Sequence, residues 1–420
     1  DSKSKAGIFF GINTNRFKDP PAIPLAIETL HCALTNKGFD VTVLDLCFVE
    51  NPIKEIEDFI NSHRPDAVCL SVRNVDSGVF PLSEFYLPEV KTFVDKMRSL
   101  TSAPIIVGGS AVTAAPQGIL NFLKPDIVIE GPGEATLPEI LNDKKLLAMK
   151  GRIIQGKLPE SFAVRRKGIV NYQQYVKAGG IAGFETHKGC SNHCPSCVEA
   201  NTRVRFKDHQ DVLLELKDLV DLNLTHLHLC DSEFNEDLDY SVALLEKMVN
   251  EHLPLKWSLY LKTGNYSSRL FELLKQSGVY STTLCIESQM RDEKYWRAVK
   301  EMISLIKSVG IRIVADLLLG LPGEDENTYQ WHIDFLLRNS PDEVVFNPYF
   351  RLYEKSAASR IIINDPVLRQ KVFYPLGKDE TLLAPAFYCG IDLEKLKAAI
   401  GNNPLFKIIG DKKGVDYQQG

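Results

Sequence analysis

The chain has 420 residues, 44% hydrophobic and 25% charged, with a formal net charge of −5. The length gives two or three domains with ample core, and the acidic balance argues against a nucleic-acid or anionic-membrane surface, which needs a basic face. No apolar run approaches the roughly 18 residues of a membrane span, the start lacks a signal-peptide layout, and nine cysteines, an odd number, do not form a disulfide framework, so the expectation is a cytoplasmic protein without a membrane partner.

In chain order, "AGIFFGI" (6–12) reads as a first strand and 24–37 as an amphipathic helix stopped at Gly38. Strands follow at 40–46, 66–72, 104–109 and 126–131, separated by helical stretches at 52–63, 89–100 and 117–123. Such alternation implies right-handed βαβ crossovers and a doubly wound parallel sheet, a Rossmann-like α/β domain over 1–145. Ligands of such sheets lie beyond the carboxyl ends of the strands. Residues 146–178 are less regular and more basic, a linker with a strand or two. From 179 to 355 a second alternating block carries strands at 181–187, 226–230, 256–262, 281–287, 311–319 and 343–349, with helices at 211–222, 240–251 and 267–277 among them. Six βα units predict a partial (β/α)6 TIM barrel. A C-terminal segment, 356–420, holds a helix near 393–400.

"KGCSNHCPSCVEAN" (188–201) places Cys190, Cys194 and Cys197 within eight residues, in the loop after the first barrel strand. Barrel enzymes keep their chemistry in such loops. A structural zinc site wants four ligands, and the fourth is missing locally: His187 and His193 are the nearest imidazoles, and the next cysteine is Cys230. Three cysteines suit a [4Fe–4S] cluster whose fourth iron stays open to a ligand. His226 and His228 share a strand face, either as metal ligands or as packed strand residues. Cys230 is open to two readings, a core residue or a group facing substrate.

The spacing C-x3-C-x2-C after a barrel's first strand resembles the radical S-adenosylmethionine (SAM) superfamily. "HLHLCDSEF" (226–234) resembles the strand end where that family holds the SAM amino group, which implies Asp231 or Glu233. "LCIESQM" (284–290) resembles its ribose-side stretch and implies Glu287 and Ser288, with Cys285 in a glycine position. "ADLLLGLPGEDENTYQ" (315–330) resembles its fifth strand and turn. "ANTRVRFKD" (200–208) resembles the basic loop that meets the SAM carboxylate, with Arg203 and Arg205 competing. The resemblance covers roughly 180–350. One departure is Ser196, where the family commonly has an aromatic residue against adenine.

The front domain resembles the B12-binding domains that precede some radical SAM barrels. "SVRN" (Ser71, Val72, Arg73, Asn74), "VGGSAV" with Gly108, Gly109 and Ser110, and "EGPGE" with Gly131, Gly133 and Glu134 all fall at strand carboxyl ends. Glycines there allow close backbone approach. No G-x-G-x-x-G follows the first strand, against a dinucleotide. The loop "GINTNRFKDPPAI" (11–23) lacks the cobalt-binding histidine of other B12 domains, and His31 and His63 fall in helical stretches. The resemblance thus implies cobalamin with no protein histidine on cobalt. Arg73 either approaches the cobalt's lower face or pairs with Asp76 or a barrel carboxylate.

Together these resemblances imply a cobalamin-dependent radical SAM methyltransferase: a cluster-bound SAM is cleaved reductively to a 5′-deoxyadenosyl radical, and methylcobalamin passes its methyl to a substrate carbon. The same motifs serve B12-linked cyclisation, rearrangement or sulfur insertion. A third reading is a non-catalytic iron–sulfur binding protein or electron carrier. A small molecule or peptide is the implied substrate, and flavodoxin or ferredoxin the implied electron donor. Tyr260, Tyr349, Arg351 and Tyr353, near barrel strand ends, are candidates to face that substrate, with packing the alternative for each tyrosine, and residues 373–390 are expected to cap the barrel mouth.

Overall fold

The computed structural model describes residues 6–11 and 20–410, apart from Leu82. The histidine-free loop therefore lies largely outside the described residues, as do the chain's first five residues and its polar end.

Six parallel strands form the front sheet: β1 (Ala6–Gly11), β2 (Asp40–Asp45), β3 (Val68–Ser71), β4 (Ile105–Gly108), β5 (Ile127–Glu130) and β6 (Arg152–Gln155), in the order β2-β1-β3-β4-β5-β6. Period-two alternation supplies two cores. Val68, Leu70, Ile105, Val107 and Val128 face one layer of helices, and Cys69, Ile106, Ile127 and Ile129 the other. The helices begin and end where the sequence marks them. In Pro52–His63, for example, Asn51 accepts from Lys54 N at 3.1 Å, and Arg64 closes the helix in the left-handed region at φ 47°. β6 lies inside the stretch read as a linker. Its register with β5, Ile127↔Arg152 to Glu130↔Gln155, extends the front sheet by one strand.

The second body begins with β7 (Ala182–Phe184). β8 (His187–Lys188) and β9 (Arg205–Phe206) form an antiparallel clasp. The barrel continues with β10 (His226–Leu229), β11 (Lys256–Lys262), β12 (Val279–Ile286), β13 (Arg312–Leu318) and β14 (Glu343–Asn347). β15 (Phe350–Arg351), β16 (Val372–Phe373) and β17 (Phe387–Tyr388) make a small antiparallel sheet. β18 (Phe406–Ile408) returns to pair in parallel with β14. The barrel order is β7-β10-β11-β12-β13-β14-β18, so a seventh strand closes the far edge of the expected six. At three residues, Phe-Lys-Ile, it is too short to show a period.

The C-terminal segment does more than cap the barrel. Gly390 N donates to Gly320 O at 3.0 Å, while Leu383 packs into the front-domain core beside Gly118. Among the described residues no helix is long and apolar enough to cross a membrane.

Candidate functional site between the two domains

The carboxyl ends of β3, β4 and β5 face the first barrel strand across a cavity of about 750 Å³. Ser71, Arg73, Gly108, Gly109, Ser110, Gly131, Gly133 and Glu134 line it from the front, and Glu185, Lys188, Arg203, His228, Cys230 and Asp231 from the barrel. The backbone explains the front wall. Val72 prolongs the ladder, its N donating to Gly108 O at 2.8 Å and its O accepting from Ala111 N at 3.1 Å. Gly109, at φ +106°, sits so close that a Cβ would lie 2.4 Å from Val72 O. Only glycine fits there. The Ser110 hydroxyl donates to Arg73 O at 2.6 Å and fixes the turn. Val72, fully buried, and Asn74 are not among the cavity-lining residues. His31 and His63 do not line it either. His63 stacks on Phe59 at 4.3 Å.

The cysteine loop hangs from the β8–β9 clasp. Gly189, at φ +87°, passes against Arg203 O, which a Cβ would approach to 2.2 Å. Cys190 N donates to Thr202 Oγ1 at 3.0 Å, and Thr202 N returns a bond to Cys190 O at 2.9 Å. Farther round, Pro195 O accepts from Ala358 N at 2.8 Å, so the C-terminal segment holds the loop from outside. Cys190 is buried, Cys194 half-buried and Cys197 exposed. Burial, with Glu233, Glu236 and Cys197 adding to it, pushes Cys190 up to about 11. Burial, then Glu287 and Glu233, pushes Cys194 up to about 12. This donor set fits iron: soft sulfurs in a carboxylate-rich pocket, protonated when alone, favour a cationic centre that draws off their protons.

The two acidic candidates on the β10 loop separate. Asp231 spends both carboxylate oxygens on Thr186 N (2.7 Å), Thr186 Oγ1, His187 N (3.3 Å) and His187 Nδ1 (3.1 Å). Although burial opposes it, His187 and Thr186 hold Asp231 below the usual carboxylate range. Glu233 instead faces the loop, 3.7 Å from Cys190 Sγ, and accepts from Asn192 Nδ2 at 2.7 Å. Glu236 stands beside it, so that ligating atoms of Cys190, Glu233 and Glu236 lie within 4.8 Å of one another.

At the β12 end, Glu287 Oε1 is 4.0 Å from Cys194 Sγ. Ser288 is buried with its hydroxyl against Leu318 O (2.6 Å) and the Glu324 carboxylate, which also accepts from Gly320 N at 2.6 Å. Ser288 thus staples β12 to the "GLPGE" turn. Of the two arginines, Arg203 lines the cavity, whereas Arg205 donates to Pro159 O at 3.0 Å. His226 Nε2 pairs with Tyr280 Oη at 3.1 Å and His228 Nδ1 with Ser258 Oγ at 2.9 Å. Cys230 is exposed on the cavity wall, and the protein packed around that wall, opposed by Arg73, pushes its thiol up to about 12.

Two expectations are corrected. Asp76 pairs with Arg351, Nε to Oδ2 at 2.8 Å, which removes it as the partner of Arg73. Arg351 itself is buried on Asp76 and the carbonyls of Leu352, Leu382 and Leu383, and so braces the domains rather than facing a substrate. Tyr353 lies against its guanidinium, 4.7 Å from ring centroid to Cζ, and Tyr349 packs on Phe80 at 4.4 Å.

Sequence reading passed over Lys188 and Glu185. Lys188 Nζ bridges Glu134 Oε1 of the front domain at 2.9 Å and Glu185 Oε1 at 3.0 Å. Their signal was two opposite charges, "ETHK", ending an apolar strand just before the first cysteine.

A model of the B12 binding domain matches residues 20–141. The tryptophan 2-C-methyltransferase of Streptomyces laurentii is 23% identical over 420 aligned positions, spanning 78% of this chain and 69% of that protein. Cytidylyl-2-hydroxyethylphosphonate methyltransferase of Streptomyces wedmorensis is 24% identical over 221, but the match spans 48% of this chain and 40% of that protein. In fold, the chain is similar to the radical SAM methyltransferase TsrM from Kitasatospora setae, solved with cobalamin and a [4Fe–4S] cluster bound: TM-score 0.84 at 19% identity, covering 97% of this chain and 93% of that one. The chain thus carries a B12-binding domain over residues 20–141 and, over nearly its whole length, the fold of that cobalamin- and cluster-bearing methyltransferase.

Proposed function

We propose that the chain is a cobalamin-dependent radical SAM methyltransferase acting on carbon of a small molecule. The observation that carries this reading is the juxtaposition of Ser71, Arg73 and Gly109, at the front strand ends, with Lys188, on the cysteine loop's own clasp, and Arg203, just before the clasp's second strand, around one cavity. When bound, the cluster supplies the electron that cleaves SAM, and cobalamin supplies the methyl group. Cys190, Cys194 and Cys197 would hold the cluster. Glu233, Glu287 and Arg203 are placed to orient SAM, with Asp231, Arg205 and Ser288 bracing the loops that carry them. Ser71, Gly108, Gly109, Ser110, Gly131, Gly133 and Glu134 would seat the corrin. The chain's work is to exclude water and hold the reacting groups in line.

Arg73 would present its guanidinium to the cobalt's lower face, where a protonated guanidinium cannot ligate. Replacing it with lysine should change the absorption spectrum of bound cobalamin; an unchanged spectrum and turnover would remove this role. A flavodoxin- or ferredoxin-type donor and a cytoplasmic setting complete the reading.

Its test is SAM labelled in the methyl group, given to the reduced, cofactor-loaded enzyme with candidate small molecules that include L-tryptophan. Label on a product carbon is the expected result. 5′-Deoxyadenosine with no labelled product would place the chain among B12-linked enzymes that cyclise or rearrange. Neither product would leave a binding or electron-carrying protein.

A further inference from the structure

We infer that Glu28, Arg166, Glu215 and Lys207 form a buried positioning network that fixes the spacing between the front domain and the barrel at the cavity wall. The four side chains are 0–2% exposed and come from four places: the helix Leu25–Thr35, the linker, the helix His209–Asp221 and the segment just after β9. Arg166 is the hub. Nη1 meets Glu28, Nε meets Glu215 Oε1 at 2.9 Å, and Nη2 donates to the carbonyl of Gly183 in β7. Lys207 Nζ takes the other Glu215 oxygen at 2.7 Å.

Burial and Glu215 push the Glu28 carboxyl up, and the Arg166 guanidinium beside it supplies the opposite charge that a buried carboxylate requires. A hydrophobic contact would hold the helix without such cost and would tolerate sliding. A guanidinium fork with three partners in fixed directions does not. Both things it joins are cavity wall: Pro24 to Ile27, with Thr29 and Leu30, line the cavity from the helix, and Gly183 lines it from the barrel. Other interdomain pairs share one polarity, with front-domain acids Asp76, Glu130 and Glu134 meeting Arg351, Lys355 and Lys188. Among the described residues, the Glu28 pair is the interdomain ion pair that reaches the helix that walls the cavity. The inference rests on the proposed function for its consequence, which is coupling of the two halves of the site.

The test uses Glu28→Gln, isosteric and neutral, and Arg166→Lys, which keeps charge and loses the fork. Iron and cobalt content should match the parent enzyme. Amide exchange in Leu25–Thr35 should quicken about tenfold while the barrel helices Leu238–Asn250 and Glu293–Ser308 stay unchanged. The ratio of 5′-deoxyadenosine to methylated product should rise about fivefold or more, since misplaced groups waste the radical. Unchanged exchange in the helix, faster exchange with an unchanged ratio, or lost protection throughout both variants would each overturn the inference. If the parent enzyme makes no methylated product, the proposed function fails, and the exchange data alone decide the network.

Discussion

Arg351 reaches across the domain boundary to Asp76, Nε to Oδ2 at 2.8 Å, with both side chains at most 5% exposed. The same guanidinium holds the carbonyls of Leu382 and Leu383 at 3.1 and 2.8 Å. One residue therefore joins the front domain, the barrel's exit and the C-terminal segment. Arg351→Met strands a buried carboxylate and should destabilise the protein by about 3–5 kcal/mol, whereas the double change with Asp76→Leu should recover most of that. Chemical denaturation of the two single variants, Arg351→Met and Asp76→Leu, and of the double measures the coupling.

Gly109→Ala tests the front wall. The new Cβ would lie 2.4 Å from Val72 O at a φ of +106°, so the strand-end turn must shift. Cobalamin retention on desalting should fall at least about tenfold, with a stability loss above about 1 kcal/mol. Gly78→Ala also has positive φ but meets nothing within 4 Å; it should lose stability without losing cobalamin.

The cysteines separate by role. Alanine at Cys190, Cys194 or Cys197 should reduce bound iron to near background. Cys230→Ala, on the cavity and outside the loop, should retain it. Iron assay with absorption near the thiolate–iron bands distinguishes them.

His332 gives a pH signature. It is fully buried, and burial, aided by Arg291, lowers its pKa from 6.5 to about 4. Between those values the unfolded chain binds the extra proton, so stability rises with pH and is lost on acidification. The loss across the window is about 3 kcal/mol. His332→Phe, which keeps an aromatic ring beside Trp296 (5.1 Å between centroids), should flatten the stability profile from pH 6.5 towards 4.

Strand positions were legible because their apolar runs are long or alternate cleanly, as in Lys256–Lys262 and Arg312–Leu318. The cysteine loop was legible because its chemistry is local. What the sequence did not reveal depends on pairing over long separations. β18 is three residues long and finds β14 only through the fold. Asp231 and Glu233 are two residues apart and look equivalent, yet one bonds Thr186 and His187 and the other turns to Cys190. Arg351 reads as a strand-end substrate group until its partner, 275 residues away, is seen. Lys188 shows its role only when Glu134 arrives from the other domain.

On the proposed reading, one cavity brings a cluster and a cobalamin together on this chain. The most direct measurement is metal and cobalamin content after anaerobic reconstitution with iron, sulfide and hydroxocobalamin, followed by desalting. The expected content is about four irons and one cobalt per chain. Four irons with no cobalt would leave the cluster and contradict the shared site.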